Sequence, residues 1–243
     1  MMERTVLRLS GPDMSDFLQG LITNDIARLA DGLVYAAILT PQGKYLADFF
    51  LLQSADDILL DVAAPLAADL TKRLTMYKLR AKVEIAPTDI KVLVGDGDAP
   101  AGAFTDPRHA KLGWRAYGDI AGTYDDYDRQ RIRYMVPEST IELIPNDSFI
   151  LEMNFEALNG VDFKKGCYVG QEVTARMKHK TNLRKGLARV AIDGSAEPGA
   201  EITANGKSAG QLYSQSSGEG LAYLRFDRAT GAMTAGEATV TRL

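Results

Sequence analysis

The sequence predicts an α+β protein with a small β-barrel at its C-terminal end. One observation is the order of the N-terminal half, where short apolar segments flank a single amphipathic helix, as in a layered α+β unit. Another is the change after Gly186, where five short strand candidates are separated by Gly-rich turns, as in a closed or nearly closed barrel. The 243 residues, 46% hydrophobic and 25% charged, suit a globular chain of one large or two to three small domains.

The N-terminal half is predicted to consist of strands around one main helix. Asp13 is placed to cap a short helix that contains Phe17 and Leu18. The segment 33–39 is apolar on both faces, which is typical of a central strand. Residues 65–79 have leucines at helical spacing and a proline in the first turn, which predicts the main helix. The other strands are predicted over 5–9, 46–52, 58–62, 82–86 and 90–94.

The middle of the chain is less regular, and the last part consists of strands. Residues 96–105 are rich in Gly, Ala, Asp and Pro, which predicts a loop. A short strand is predicted over 114–117 and a charged helix over 124–134. Asn205-Gly206 is a strong hairpin signal within the barrel. The barrel strands are predicted over 187–192, 201–203, 208–213, 220–226 and 238–243.

The chain has one cysteine, Cys167, and a net charge of −4. A single thiol excludes an internal disulfide framework, and it excludes a zinc or iron–sulfur site built from several thiolates of one chain. A lone thiol suits a reducing compartment, and the N-terminus has no apolar signal core, so we expect a cytoplasmic protein. No apolar run reaches 18 residues, and we expect no membrane partner. The acidic balance disfavours a general nucleic-acid binder.

The segment 159–186 concentrates positive charge around the lone cysteine. Between Asp162 and Lys185 there are seven Lys/Arg residues and two acids, a local charge of about +5 in an acidic chain. Charge segregation of this kind usually marks a surface that holds an anionic partner. The cations are Lys164, Lys165, Arg176, Lys178, Lys180, Arg184 and Lys185.

The residues alone leave two interpretations of Cys167 open. Nearby cations and the start of a helix after Val169 would favour the thiolate, which makes the thiol reactive or a ligand. The opposing interpretation is a buried structural cysteine, the commoner state of a free thiol. A Cys–His hydrolase is disfavoured, because His109 and His179 are the only histidines and no hydrolase signature surrounds Cys167.

Two polar pairs are further candidates. Glu172 follows Gln171, and a carboxylate beside an amide suits the N–H and carbonyl edge of a guanidine-like heterocycle. The same pair would also satisfy backbone amides at a helix start. Asn24 and Asp25 present a similar choice between a ligand contact and an ordinary turn.

The octapeptide K-G-C-Y-V-G-Q-E at 165–172 resembles the signature of the YgfZ family of folate-binding proteins, which includes mitochondrial iron–sulfur assembly factors. The flanking residues 159–164 and 173–185 resemble the mitochondrial branch in particular. F-L-Q-G-L-I-T-N-D-I at 17–26, L-T-P-Q-G-K-Y-L-A-D-F at 39–49 and R-I-R-Y-M-V-P-E at 131–138 fit as well. The resemblance therefore extends over most of the chain.

The resemblance implies a fold related to the aminomethyltransferase (T-protein) of the glycine cleavage system. Three domains would form a ring around a central folate channel, with ferredoxin-like α/β units and a β-barrel as the last domain. The first domain would comprise 1–40 and 120–185, the second would be inserted over 41–119, and the barrel would comprise 186–243.

The resemblance also implies a ligand and a role. The ligand would be tetrahydrofolate or a one-carbon derivative, and the role would be assembly or repair of [4Fe–4S] clusters with assembly proteins or client enzymes as partners. The reactive residues would be Cys167 and Asp48. The folate-binding residues would be Asn24, Asp25, Arg131, Lys165, Tyr168, Gln171, Glu172 and Arg176.

The residues leave two other functions open, and they do not decide whether the protein is an enzyme. A folate-dependent aminomethyltransferase or C1 transferase is one, although the Asp-Asp pair of those enzymes is replaced here by Ala47-Asp48. An RNA-binding module, in particular for tRNA, that uses residues 164–185 is the other. In an assembly factor with one thiol per chain, a cluster would be shared with a second subunit, a partner or glutathione.

Overall fold

The computed structural model describes residues 2–120, 122–180 and 183–243, and only the backbone of Lys180. Thr181 and Asn182 of the family-like stretch, and the Lys180 side chain of the predicted cationic run, lie outside this part. Within it, the chain forms a five-stranded sheet, a three-stranded sheet and a closed six-stranded barrel. The elements before the barrel are β1 Arg4–Ser10, α1 Met14–Gln19, β2 Val34–Leu39, β3 Tyr45–Ser54, β4 Asp57–Ala63, α2 Ala64–Tyr77, β5 Glu84–Pro87, β6 Val92–Gly95, β7 Phe104–Thr105, β8 Trp114–Tyr117, α3 Tyr127–Arg133 and α4 Gln171–Lys180.

The five-stranded sheet is antiparallel in the order β2-β3-β4-β1-β5. All six residues of β2 are buried, as its apolar faces predict, but β2 lies at the end of the sheet and the prediction of a central strand is wrong. Its outer edge is covered by Thr23, whose backbone N–H donates to Ala37 O and whose hydroxyl accepts from Ala37 N, both at 2.9 Å. Apolar cores on both faces of the sheet account for the burial.

One face of this sheet packs against α1 and α2. Leu70 and Leu74 of α2 join Val34 and Ile38 of β2 in the first core, as the helical spacing predicts. Asp13 precedes α1 but does not cap it with its side chain, so that prediction is wrong. The Asp13 carboxylate instead accepts from the backbone N–H of Lys82 at 2.7 Å, because the chain returns there just before β5.

The other face of the sheet shares a second core with the barrel and with the segment that leads to α4. Tyr35 and Phe50 of the sheet meet Phe155 and Tyr168, and Leu187 and Leu221 of the barrel complete the cluster. The sheet, the family-like segment and the barrel therefore pack around one common apolar centre.

The barrel closes in the order β10-β11-β12-β9-β14-β13, with β13 paired to β10. Asn205 and Gly206 both have positive φ at the β10–β11 turn, which confirms the predicted hairpin. Five of the six strands were predicted, and β13 was missed because Ala-Met-Thr-Ala gives a weak strand signal. The strands are β9 Lys185–Asp193, β10 Glu201–Ala204, β11 Lys207–Ser216, β12 Glu219–Arg225, β13 Ala232–Ala235 and β14 Ala238–Arg242.

Two predicted boundaries can be compared with the observed strands. The segment 96–105, predicted as a loop, ends in the two-residue strand β7, which pairs with β8. The predicted boundary between residues 40 and 41 falls in the turn between the paired strands β2 and β3. The domain limits themselves stay a prediction.

Candidate functional site

The lone cysteine lies on a loop that immediately precedes α4, which we call the thiol loop and define as residues 162–170. Cys167 is exposed and unpaired, so the interpretation as a buried structural cysteine is wrong. It lines an open cleft of about 450 Å³. The other residues of this cleft are Pro41, Tyr168, Val169, Gly170, Gln171 and Glu172.

Gly170 makes the close packing at the end of the thiol loop possible. Its φ is +86°, and a Cβ atom at this position would lie 2.5 Å from the carbonyl oxygen of Thr40. Glycine adopts this left-handed backbone conformation with little strain, because it has no side chain. The turn before β3 can therefore lie directly against the start of α4 and form one wall of the cleft.

Lys165 is buried although it lies two residues before the exposed thiol. Its ammonium group donates to the carbonyl oxygens of Gln19 at 2.7 Å and Ile22 at 2.6 Å. Burial lowers the pKa of Lys165 to about 8, against the opposing effect of Asp25 and Asp162. The side chain thus reaches the end of α1 inside the protein.

The residues that follow Cys167 divide between the core and the cleft. Tyr168 is buried in the second core, and burial raises the pKa of its hydroxyl to about 12. Gln171 and Glu172 form the first turn of α4 and line the cleft. Arg176 is exposed on the same helix. The cleft therefore brings together Cys167, Tyr168, Gln171 and Glu172 from the predicted site.

Asn24 and Asp25 are engaged within the chain. The Asn24 amide donates to the carbonyl oxygens of Tyr35 at 2.8 Å and Asn159 at 2.7 Å, and it accepts from Asp25 N at 2.9 Å. Asp25 accepts from Ala27 N at 3.0 Å and so begins the short 3₁₀ helix Ile26–Asp31. A cavity of about 290 Å³ lies beside Asn24 and is separate from the cleft at Cys167.

Arg131 lies on α3 and points into a buried ionic network. It donates to Asp128 at 2.6 Å, to both Glu142 oxygens at 3.1 Å and to the Ser214 hydroxyl at 2.5 Å. Burial opposes the charge, but Glu142, Asp128 and Glu138 outweigh it and raise the pKa of Arg131. Because Ser214 belongs to β11, Arg131 connects α3 to the barrel.

Asp48 is buried on β3. Its carboxylate accepts from the hydroxyls of Tyr45 and Ser139 at 2.6 Å and of Tyr35 at 3.0 Å. Burial, followed by the nearby negative charge of Asp48, raises the pKa values of Tyr35 and Tyr45, so both hydroxyls remain donors. The carboxylate is held by three neutral donors.

A cluster of buried ion pairs lies near Asp48, with which its three arginines line one small cavity, and we call it the arginine cluster. Its members are Arg4, Asp61, Asp106, Arg108 and Arg115. Asp61 pairs with Arg4 at 2.6 Å and with Arg115 at 2.8 Å, and Asp106 pairs with Arg108 at 2.8 Å. Burial alone would raise the pKa values of Asp61 and Asp106, but their arginine partners outweigh it and keep both below the ordinary value.

The arginine cluster leaves little free volume beside Asp48. The guanidinium carbon of Arg115 lies 3.9 Å, and that of Arg108 4.9 Å, from the centre of the Phe50 ring. The cavity that these residues and Asp48 line measures about 10 Å³. Small-molecule sites are typically about 300–1,000 Å³, and a cavity of this size holds about one water molecule.

Sequence reasoning missed the arginine cluster, because its members are far apart in the chain. The available signal was a charged residue inside each of two apolar strands, Asp61 in β4 and Arg115 in β8. Cys167 and Asp48, the two residues expected to be reactive, line different cavities. Over residues 2–120, 122–180 and 183–243, no group of three or more His, Cys, Asp or Glu residues is arranged to hold a metal ion. In the same residues no helix has the length and hydrophobicity needed to cross a membrane.

Comparison with known proteins supports the fold. The protein-family model described as the C-terminal β-barrel domain of CAF17 matches residues 184–242. The crystal structure of aminomethyltransferase T of the glycine cleavage system from Bartonella henselae superposes with a TM-score of 0.78 and 13% identity, covering 99% of this chain and 82% of that one. At this identity the likeness shows the fold alone, and it confirms the predicted mixed α/β architecture of the T-protein type with a C-terminal barrel.

Two curated relatives decide the family. The mitochondrial iron–sulfur cluster assembly factor IBA57 of Mus musculus is 32% identical and that of Homo sapiens 33%; each match covers 94% of this chain and 77% of the relative. Both relatives are mitochondrial by name, which contradicts the expectation of a cytoplasmic protein. The lone thiol did not justify that expectation, because it suits any reducing compartment. Identity at this level over nearly the whole chain means that the protein belongs to the IBA57 family of iron–sulfur cluster assembly factors.

Proposed function

We propose that this protein acts in iron–sulfur cluster assembly and that Cys167 is the thiolate it contributes to a cluster. The observation that carries the proposal is the exposure of the lone cysteine on an open cleft, within the segment that resembles the family signature. Iron–sulfur clusters are held by cysteine thiolates. Because the chain has one cysteine, the other ligands come from a partner protein, a second subunit or glutathione.

The start of α4 and two exposed cations nearby suit an anionic thiolate-bound cluster, against the single negative charge of Glu172 that lines the cleft. Cys167 precedes the N-terminus of the ten-residue helix α4, where the helix dipole favours negative charge. The exposed cations Lys164 and Arg176 lie on the loop and the helix that form this region. The cluster is the cargo of this site, and its partners are iron–sulfur assembly proteins or client enzymes.

A complementation experiment tests the role in cells. Cells that lack their own factor of this family receive the wild-type chain, Cys167→Ser or the control Ser208→Ala, which alters an exposed barrel residue. We expect the wild type and the control to restore the activity of [4Fe–4S] enzymes and Cys167→Ser to restore less than about a tenth of it. Equal restoration by Cys167→Ser would exclude the thiolate role.

Tetrahydrofolate, the ligand that the resemblance implies, is disfavoured in this conformation. The residues expected to bind it lie in separate places, with Arg131 in an ionic network, Asn24 bonded to the backbone and Gln171 at the thiol cleft. A pterin beside Asp48 would require Arg108 and Arg115 to leave the ring of Phe50. We therefore assign the folate no part in the cluster chemistry.

The fluorescence of Trp114, the only tryptophan, gives a direct test of folate binding, because this residue adjoins Arg115 of the arginine cluster. Tetrahydrofolate is titrated into the protein, with free tryptophan as the control for inner-filter effects. We expect no saturable quenching at micromolar concentrations. Saturable quenching at about one equivalent would show that the region beside Asp48 opens for folate, and it would overturn this assignment.

Aminomethyl transfer is a second candidate, favoured by the T-protein fold. It is weakened by the burial of Asp48, whose carboxylate is held by three hydroxyl donors. An assay with an aminomethylated lipoyl donor and tetrahydrofolate decides the matter. We expect no methylene-tetrahydrofolate, and its formation at a rate that depends on Asp48 would establish the transferase.

A further inference from the structure

The thiol loop is held from inside by a segment more than 130 residues earlier in the chain. We call residues 19–28 the support segment; its sequence is Q-G-L-I-T-N-D-I-A-R. It contacts the thiol loop and the three residues before it through side chains and backbone. The hydrogen bonds are Asn24 Nδ2 to Asn159 O at 2.7 Å, Thr23 Oγ1 to Gly160 O at 2.6 Å, Asp162 N to Thr23 O at 3.0 Å, Arg28 Nη2 to Asp162 Oδ2 at 2.6 Å, Lys165 Nζ to Gln19 O at 2.7 Å and to Ile22 O at 2.6 Å, and Val169 N to Gly20 O at 3.3 Å.

These contacts lie on both sides of Cys167 in the sequence. Lys165 is bonded two residues before it and Val169 two residues after it, so the backbone of the thiol loop is held at two points. Cys167 itself is exposed between them. A short segment held at both ends presents its middle side chain in a restricted range of positions.

The central contacts are protected from water. Thr23 is fully buried, and Asn24 and Lys165 are 4% and 7% exposed. Buried polar groups that lose a partner are costly, so these bonds persist in the folded state. Thr23 also accepts from Ala37 N at 2.9 Å, which connects the support segment to β2 and to the five-stranded sheet.

The bonding also explains why these residues are poor candidates for ligand contacts. Both amide hydrogens of Asn24 and its oxygen are used within the chain. The Lys165 ammonium group donates to the carbonyl oxygen of Gln19, the last residue of α1, and to that of Ile22, three residues further along the chain. The last carbonyls of a helix lack partners within the helix and are satisfied by such a cation.

We propose that the support segment sets the position of Cys167 and that Lys165 is the main positioning residue. This proposal rests on the proposed role of Cys167 as a cluster ligand. A shared cluster needs each thiolate at a defined place relative to the partner's ligands, because metal–ligand geometry is demanding. The rigid sheet supplies that place through Thr23, Asn24 and Lys165.

The test compares Lys165→Met with Lys78→Met. The first variant keeps the apolar stem of the side chain and removes both bonds to the support segment. The second removes a similar bond, from Lys78 Nζ to Val83 O at 2.9 Å, after the end of α2 and away from the cysteine cleft. Both proteins are reconstituted without oxygen with ferrous iron, sulfide and glutathione, and the cluster is measured by visible circular dichroism. Amide hydrogen exchange of residues 162–169 is measured on the protein without cluster.

We expect Lys165→Met to lose about fivefold in cluster occupancy and to exchange the amides of 162–169 about tenfold faster, while Lys78→Met retains wild-type values for both. Wild-type cluster occupancy in a folded Lys165→Met protein would overturn the proposal, and so would an equal loss in Lys78→Met. If Lys165→Met does not fold, Arg28→Met serves instead, because its bond to Asp162 is at the surface and its loss is tolerated. We expect about a twofold loss for that variant, and an unchanged cluster would overturn the proposal.

The two proposals fail in different ways. If Cys167→Ser binds the cluster as well as the wild type, the ligand role of Cys167 is wrong. If Cys167→Ser loses the cluster and Lys165→Met keeps it, the ligand role stands and the positioning role is wrong.

Discussion

At the residue scale, Cys167 and Asp48 differ in how far their surroundings leave them accessible. Cys167 is exposed on an open cleft, whereas Asp48 is 3% exposed and accepts from three hydroxyls. A buried carboxylate with three donors stabilises the fold, since most of its lone pairs already accept hydrogen bonds. The proposed chemistry therefore belongs to the thiol.

Asp48→Asn is expected to lower the free energy of unfolding by about 1–3 kcal/mol, because the new amide N–H₂ group faces hydroxyl donors that have lost an acceptor. Urea unfolding measures this change, with Asp56→Asn in an exposed turn as the control that stays within about 0.5 kcal/mol. Cluster reconstitution should remain at the wild-type level. A stable Asp48→Asn protein that fails to bind a cluster would show that Asp48 has a direct role.

Asp61 makes the stability sensitive to acid. Its pKa is lower in the folded state than the ordinary value of 3.8, so its contribution is complete above about pH 4 and is lost as the pH falls through the folded value. Asp61→Asn leaves Arg4 and Arg115 without their shared partner, and we expect a loss of about 3–5 kcal/mol at pH 7.

Urea unfolding between pH 3 and pH 7 tests this prediction, with the exposed Asp119→Asn as the control. The wild type should lose stability more steeply than Asp61→Asn below pH 4. Parallel curves for the two proteins would mean that the arginine pairs of Asp61 do not depend on its charge.

The sequence alone singled out Cys167 but not the residues that hold its loop. The motif around Cys167 was visible because its residues are contiguous. The contacts of Asn24 and Lys165 were not visible, because these partners lie 135 and 146 residues away in the chain. Polarity alone also does not distinguish a ligand contact from a backbone contact. Asp25 showed the same ambiguity, and the structure places it at the start of a 3₁₀ helix.

At the element scale, the junction between the thiol loop and α4 depends on a glycine. Gly170→Ala adds a Cβ atom 2.5 Å from Thr40 O at a φ of +86°. The control is Gly206→Ala in the barrel hairpin, where φ is +71° and no atom lies within 4 Å of the added Cβ. The difference between the two variants isolates the contact with the turn before β3.

We expect Gly206→Ala to cost about 1 kcal/mol from the backbone alone, and Gly170→Ala about 2–4 kcal/mol together with reduced cluster binding. Thermal and urea unfolding measure the first quantity, and visible circular dichroism after reconstitution measures the second. Equal costs for the two variants would mean that the turn yields to the methyl group and does not shape the cleft.

Strand and helix predictions succeeded where local pattern decides the structure. The hairpin at Asn205 and Gly206 needs positive φ at two adjacent residues, and these residue types favour it. The position of β2 was wrong because apolar faces report burial and not strand order, and here a loop residue, Thr23, covers the strand edge. The strand β13 was missed because its residues have mixed preferences and pairing within the closed barrel determines its conformation.

At the scale of the whole molecule, the barrel is joined to the rest by the second core and by the network of Arg131. The two ends of that network are α3 and β11, with Glu142 between them. The core brings Leu187 and Leu221 of the barrel against Tyr35 and Phe50 of the sheet. We expect the barrel and the sheet to unfold together.

Arg131→Met should lower the free energy of unfolding by about 3–5 kcal/mol, because Glu142 is then left buried without its cation. The control is Arg129→Met on the exposed side of α3, which should stay within about 0.5 kcal/mol. Urea unfolding followed by tryptophan fluorescence and by circular dichroism gives the comparison. Coincident curves for Arg131→Met and the wild type would show that the network adds no stability.

The overall architecture was predictable because the family resemblance extends over most of the chain, and the barrel was visible from its strands and turns. The filling of the space beside Asp48 was not predictable. It depends on Arg4, Arg108 and Arg115 meeting two aspartates and the ring of Phe50, and these residues come from separate strands and loops. Whether such residues line an open channel or fill it is a property of the packed molecule.

The most direct test of the central claim is anaerobic cluster reconstitution of the wild-type chain and Cys167→Ser with ferrous iron, sulfide and glutathione. Iron and sulfide are quantified, and the cluster is followed by visible circular dichroism and Mössbauer spectroscopy. We predict a cluster on the wild type and a loss of about tenfold or more in cluster content for Cys167→Ser, with the fold unchanged. A Cys167→Ser protein that carries the same cluster with the same spectrum would contradict it.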